Sequence, residues 1–355
     1  MVPAPSRQEG PRAELVAGWA REVSDATTAV DEAGNVVVEM AGRQPDGAVS
    51  TYLATLDDLD TIAALRRRGA ELTLTEHTLI GPCVQTCSSA ATAMSLLRYA
   101  ARGERRWARL TVAFVTGEET GLTGARALVA QRRDTLGEVL DIMGGVGTIS
   151  YHAIGIRALR VTFTGSDRHS LGGGMSAVPD AMARLVLALH AAVPVPGPQD
   201  TEIRRVNQLQ AGQVFNHSPA KGQVTVDVRA TDPVRLDLLA GEVDRHAAAI
   251  AADLGIAARV DPIIEQPAAR LPGGADHPLV VAAAAATRLA GHEPVLRPWT
   301  SSNVSAILAA GLPGIALEGT ARGGDRGTPR EWADIDGVLA GAAVCCHLLD
   351  LRSGR

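Results

Sequence analysis

The stretch that most constrains this chain is LTVAFVT, Leu110–Thr116. Its residues are apolar or β-branched with no polar alternation, which suits a strand buried on both faces. Such a strand needs cover on both sides, and the surrounding pattern offers it. Asn35–Met40, Val49–Thr55 and Val139–Met143 read as strands. Asp57–Arg68, Ala90–Ala101 and Gly121–Gln131 read as helices, while Glu71–Ile80 alternates only weakly. Strands alternating with helices predict an α/β sheet with a mostly parallel core.

The pattern changes after residue 153. Ile156–Gly165 and Gln223–Ala230 alternate as half-buried strands, Val178–Ala192 and Leu236–Leu254 read as helices, and Ala257–Ile264 reads as a further strand. This predicts an α+β insertion with an antiparallel sheet. Val193–Pro198 and Gln266–Gly274 are rich in Pro and Gly and read as loops or linkers. Helix Leu279–Ala290, strand Gly314–Glu318 and helix Asp336–Leu351 then resume the first pattern. The expected organisation is an α/β domain of 1–153 and 268–355, interrupted by a domain of 154–267. A length of 355 residues agrees with two domains.

Composition narrows the function. A net charge of -5 argues against a nucleic-acid surface, and 3% aromatic residues leave little for stacking platforms. Lys221 is the only lysine, so a lysine nucleophile is excluded everywhere else. No apolar run is long enough to span a bilayer, and Met1–Gly18 lacks an apolar signal core, so a cytoplasmic protein without membrane contact is expected. Cys345 and Cys346 fall in an apolar helix and read as core. No CxxC occurs to build a structural zinc site.

Directly after the buried strand comes GEETGLTGA, Gly117–Ala125. Adjacent carboxylates at a strand's C-terminal end lie where α/β sheets place their chemistry, although acidic residues also suit the first turn of a helix. The same order of segments runs through the chain: LATLDDL at 53–59, IGPCVQTCSSAATAM at 80–94, FVTGEETGLTGAR at 114–126, MGGVGTISYHAIGIRALRVTFTG with RHS at 143–170, and SSNVSAILAAGLPGIALEG with ARGGDRGTPREWADIDGV at 301–338. Together these resemble the M20 metallopeptidases and amidohydrolases, which include tripeptide aminopeptidases, carboxypeptidases and acyl-amino-acid deacylases. The resemblance implies a zinc-exopeptidase-like three-layer α/β/α domain with an inserted α+β lid, which serves as dimerisation element. A homodimer is therefore expected, with the alternating strand Ile156–Gly165 presenting an edge to pair with its two-fold mate or to have the mate's helices pack against it.

In that family two zinc ions share an aspartate and a glutamate deprotonates the bridging water. On this sequence the first His position falls on Thr55, with Asp57 at the usual spacing behind it. The bridging Asp position falls on Thr86, the next carboxylate on Met143, the last His on Gly327, and an Asp near the end of the sheet on Asn303. Glu118 matches the general base and Glu119 a carboxylate ligand. Thr, Met and Gly are poor zinc ligands, so no metal is expected. A slipped alignment could still recruit Asp141, Asp325, Cys83, Cys87 or His77 into a rebuilt site.

Glu118 without metal would be a lone carboxylate with a raised pKa, useful to a general acid or base. The resemblance assigns His169 to polarising the substrate carbonyl, and Asn216 and Arg229 to substrate binding, with Glu119 and Asn303 beside them. Each also has a plain structural reading. Cys83 and Cys87 precede a helix, where a thiolate could be nucleophilic, or they are packing residues. GTARGGDRG, 319–327, could hold an anion, and His152 marks the domain junction. The leading expectation is an enzyme acting on a small acylated amino acid, peptide or related amide by metal-independent acid/base chemistry. The alternatives are a non-catalytic pseudopeptidase and a residual zinc-dependent amidohydrolase.

Overall fold

The computed structural model describes residues 2–23, 25–143, 146–172, 176–192, 201–318, 323–325 and 327–353. They pack as two compact units, one of 1–153 with 270–355 and the other of 154–269. The Val193–Pro198 linker lies outside the described residues, as do Gly319–Arg322 and Arg326 of the glycine-rich loop.

The first unit is built on an eight-stranded mixed sheet. Its spatial order is Thr27–Val30, Val36–Ala41, Arg109–Val115, Val49–Thr55, Glu138–Ile142, Gly314–Glu318, Thr148–Ser150 and Val295–Arg297. The four strands from Arg109–Val115 to Gly314–Glu318 are mutually parallel. Leu110–Val115 are buried throughout, as an unbroken apolar run requires. Phe114 is fully buried, and its truncation to Ala would cost about 3–5 kcal/mol. Helices Val84–Arg102, Pro278–Leu289 and Ile335–Arg352 pack side by side. Thr123–Arg132 packs on the short helix Val304–Ala309. Parallel strands all point their C-terminal ends the same way, so Thr55, Val115 and Ile142 finish at one edge of the sheet.

A small four-stranded sheet, Gly323–Gly324, Trp332–Asp334, Thr78–Ile80 and Thr73–Leu74, brings the C-terminal glycine-rich loop to the start of helix Val84–Arg102. The weak alternation of Glu71–Ile80 is this hairpin. The N-terminal helix Gly10–Arg21 packs on the hairpin of Thr27–Val30 and Val36–Ala41.

The second unit is a four-stranded antiparallel sheet in the order Glu202–Ala211, Lys221–Ala230, Gly155–Thr164, Ala257–Gln266. Helices Ala177–Ala192 and Pro233–Leu254 close its core around Phe163, Val178, Leu185, Val226 and Val243. Asp232 caps the longer helix at the Arg235 N–H (3.0 Å), and Gly255 ends it in the left-handed region at φ 62°.

One expectation is overturned here. Strand Gly155–Thr164 is hydrogen-bonded on both sides, so it presents no edge. The edges are Glu202–Ala211 and Ala257–Gln266. Glu202–Ala211 escaped the pattern reading because most of its residues are exposed and polar, as an edge strand permits.

Candidate active site

The loop after Val115 carries Glu118 and Glu119. Its backbone is fixed by side chains, because here the strand has ended and the next helix has not begun. Four consecutive amides end on side-chain oxygens: Thr116 N–H on Asn35 Oδ1 (3.0 Å), Gly117 N–H on Glu9 Oε1 (3.0 Å), Glu118 N–H on Asp57 Oδ1 (2.9 Å) and Glu119 N–H on Asp57 Oδ2 (3.1 Å). Two glycines of the motif are steric necessities. Gly117 has φ +63°, and a Cβ there would lie 1.9 Å from Thr123 Oγ1. A Cβ on Gly124 would lie 2.3 Å from Asn35 Oδ1.

Thr55, at the end of its strand, donates its hydroxyl to Glu118 Oε2 (3.1 Å), and Asn303 Nδ2 donates to Thr55 Oγ1 (2.8 Å). Glu118 is therefore half-buried and hydrogen-bonded, not the lone carboxylate expected. Behind Asn303 lies Asp141, fully buried, accepting from Val304 N–H (3.0 Å). Burial pushes its carboxyl up to about 6, against the hydrogen bonds of Ser302, Val304 and Asn303, which pull the other way.

Thr55, Thr86, Glu118 and Met143, matched from separate segments, line one recess with Gln85, Ser89 and Ile142. It offers about 10 Å³, room for about one water molecule. Gly327 sits elsewhere in the loop, at φ 75°, its N–H donating to Glu331 Oε2 (3.1 Å). The other oxygen of the buried Glu331 accepts from Gln85 N–H (2.7 Å), tying the loop to the first turn of helix Val84–Arg102.

The surroundings a cysteine nucleophile needs are not present. Cys83 is 2% exposed, and burial followed by the neighbouring Asp58 pushes its thiol far up, Arg12 opposing. Burial also raises Cys87. Both remain thiols at neutral pH, and the helix start does not offset the desolvation. His77 is exposed and faces Asp336 at 3.2 Å. Among the described residues no three His, Cys, Asp or Glu side chains gather where they could hold a metal. His152 is a ring acceptor for Leu271 N–H through Nδ1 (3.1 Å), its pKa lowered by burial and by Arg270.

In the second unit the short strands Arg168–His169 and His217–Ser218 pair at the end of the sheet. There His169 and Asn216 meet, Nε2 to the side-chain amide at 3.3 Å, and Leu171 N–H donates to His169 Nδ1 (3.2 Å). Arg229 is not with them. It lies eight residues along its strand from Lys221, which spans about 26 Å, and its Nε donates to Asp227. The two substrate-binding expectations thus fall at opposite ends of this sheet.

The model of the peptidase family M20/M25/M40 matches residues 58–351. The chain belongs to this family. The M20 fold is seen equally in solved structures. Aminopeptidase PepT from Bacillus cereus is 15% identical with a TM-score of 0.77, the match covering 100% of this chain and 95% of that one. A hydantoinase/carbamoylase family amidase from Burkholderia vietnamiensis is 18% identical with a TM-score of 0.77, covering 99% and 92%. A Bacillus subtilis M20 peptidase described as dinuclear metal-binding is 17% identical with a TM-score of 0.69, covering 98% and 94%. A search of curated proteins returns no match.

Sequence reasoning missed Ser6, Glu9, Arg12, Asn35 and Glu331 as parts of this site. A signal for two of them was there. Ser6-x-x-Glu9 before a helix has the capping-box spacing, but both side chains reach the Glu118 loop's surroundings instead.

Proposed function

We propose that this M20 chain acts on a small acylated amino acid, peptide or related amide by acid/base chemistry without bound zinc. The donor set does not fit two zinc ions. The aligned ligand positions hold Thr55, Thr86, Met143 and Gly327, and the first three are packed around a one-water recess. No step of the proposed reaction passes through a metal.

The observation carrying the reading is the Asn303–Thr55–Glu118 chain of hydrogen bonds at the sheet's C-terminal edge. It leaves Glu118 held through Oε2, with its backbone fixed by Asp57, at the place where α/β sheets do chemistry. A fixed carboxylate can take a proton from an attacking water and return it to the leaving amine. His169, reaching across a dimer, is assigned to polarise the substrate carbonyl, and Asn216 to help bind substrate. The same recess supports a second reading. A recess that admits about one water gives little room for a substrate beside Glu118, which favours a non-catalytic pseudopeptidase. A mass-spectrometric screen of acyl-amino acids and small amides, repeated with Glu118→Gln, separates the two. Turnover lost in the variant supports the enzyme, and no turnover in either supports the binding protein.

The proposed assembly is a homodimer through the second unit. An apolar groove of about 540 Å³, lined by Met182, Val186, Leu187, Leu209 and Ala211 among others, runs beside the edge strand Glu202–Ala211. A second copy of the same strand and helix is self-complementary to it. The opposite edge strand contains Pro262, which has no N–H to offer.

A further inference from the structure

The N-terminal arm, outside the family match at 58–351, reaches the Glu118 loop at two points. Glu9, 6% exposed, accepts from Gly117 N–H. Ser6, 8% exposed, donates to Asp57 Oδ2 (2.7 Å), and Asp57 in turn accepts from the Glu118 and Glu119 amides. The arm itself is locked down. Arg12, 4% exposed, bonds Asp58 (2.5 Å), Leu56 O (2.7 Å) and Val2 O (2.6 Å from Nη2), and Asp58 N–H donates to Ala4 O (2.7 Å).

We propose that Ser6 and Glu9 are positioning residues, which with Asp57 hold the Gly117–Glu119 backbone so that Glu118 stays against Thr55. Three of the four loop amides rest on carboxylates, and such charge-assisted bonds are the strong ones. The loop cannot replace them internally. Its own later amides, Thr120, Leu122 and Thr123, turn back onto the Gly117 and Glu118 carbonyls, which leaves the Gly117–Glu119 N–H groups to outside acceptors. Here the backbone end carries the restraint, and the arm supplies part of it. The consequence for turnover rests on the acid/base reading above. The restraint itself does not.

The test is residue-resolved amide hydrogen exchange on the full chain, with Glu9→Ala, Ser6→Ala and Glu9→Gln. Glu9→Ala should speed exchange at Gly117 and its neighbours about tenfold or more, with strand Gly314–Glu318 unchanged. Glu9→Gln keeps a carbonyl oxygen acceptor and should restore most of the protection. Ser6→Ala should give a smaller rise confined to Glu118 and Glu119. Where wild type turns over an amide, Glu9→Ala should lower kcat with KM nearly unchanged, and Glu9→Gln should recover it. Unchanged exchange at Gly117 in Glu9→Ala overturns the proposal. So does a rise shared equally by Gly314–Glu318, which would make the arm a general stabiliser, and so does failure of Glu9→Gln to rescue. Should Glu9→Ala not fold, Ser6→Ala and Glu9→Gln decide it through the same amides. A wild type without any turnover removes the acid/base reading alone and leaves the exchange pattern to judge the restraint.

Discussion

At the strand ends of the first unit, polar side chains serve one another. Asn303 bonds Thr55, Thr55 bonds Glu118, and Asp57 bonds the backbone that carries Glu118. At the tip of the second unit His169 and His217 are exposed and Asn216 is half-buried, beside a fully exposed Phe215 and Leu171 at 92%. The resemblance positions follow the same division. On the proposed mapping the ligand positions of the first unit hold Thr55, Thr86, Met143 and Gly327, while the substrate positions of the second hold His169, Asn216 and Arg229. A buried site must satisfy its polar groups to fold, so new residues there can be explained by packing alone. The His169–Asn216 contact, near the surface, gains little folding stability.

The largest expected effect tests whether the first unit is more than a satisfied core. Glu118→Gln keeps the shape and the Thr55 contact but cannot exchange a proton, so turnover should fall about 10²–10⁴-fold. Circular dichroism and thermal melting should be nearly unchanged. His169→Ala in the second unit should cost less and alter both binding and rate. An active protein indifferent to Glu118→Gln would break the comparison, since the buried network would then be structural only.

Next comes Asp141, whose buried carboxyl, facing Ser302, Asn303 and Val304, is pushed up to about 6 from an ordinary value of 3.8. The native state then holds a proton that the unfolded chain releases between about pH 4 and 6. Stability from this group is present below pH 4 and is lost as pH rises through 6. The loss is on the order of 2–3 kcal/mol. Asp141→Asn should remove it, so the variant should gain on wild type as pH rises from 4 to 7 in urea unfolding. A wild-type-to-variant difference that does not vary with pH would show that Asp141 titrates normally.

The second unit's exposed surface gives a smaller effect. Leu187 and Leu209 are 69% and 54% exposed in the apolar groove. Leu187→Asp with Leu209→Glu should weaken self-association by about tenfold or more in sedimentation, with little change in melting. Ile263→Glu, on the opposite edge strand, is the control and should leave association alone. A wild type that is monomeric at micromolar concentration would remove the homodimer.

The difference between the units also governs what could be read from sequence. LTVAFVT and the period-two strands of 155–164 and 221–230 carry their fold in local pattern, because burial on two faces or one dictates residue type. Thr55, Thr86, Glu118 and Met143 came from separate segments, and their meeting in one recess follows from the parallel strand order. Glu9 and Asp57 were illegible as partners of one loop. They lie 108 and 61 residues from the amides that donate to them, and no local signal encodes such pairings. Cys83 misled for a physical reason. A helix start lowers a thiol pKa only where water or a cation can support the charge, and here desolvation exceeds Arg12's help.

The smallest expected effect is that of zinc. A metal site needs lone pairs from imidazole, thiolate or carboxylate. Thr55 and Thr86 offer hydroxyls, and Thr55 already bridges Asn303 and Glu118. Gly327 would also resist replacement by a histidine. Its φ of 75° is costly for any side chain, and a Cβ there would meet Leu59 Cδ1 at 3.3 Å. Wild type in excess zinc should therefore shift its Tm by less than about 1 °C. A native-state site occupied to 100 times its Kd would instead add about 2.7 kcal/mol, a shift of several degrees. Mass spectrometry of the protein metal content should find less than about one zinc per chain. The comparison is sharpened by Thr55→His combined with Thr86→Asp and Met143→Asp, which places an imidazole and two carboxylates around the recess beside Glu118. That variant should gain a zinc-dependent rise in Tm while Gly327 stays as it is. Two zinc ions bound by wild type would mean that the first unit keeps its family chemistry through residues other than those aligned, and the contrast between the two units would disappear.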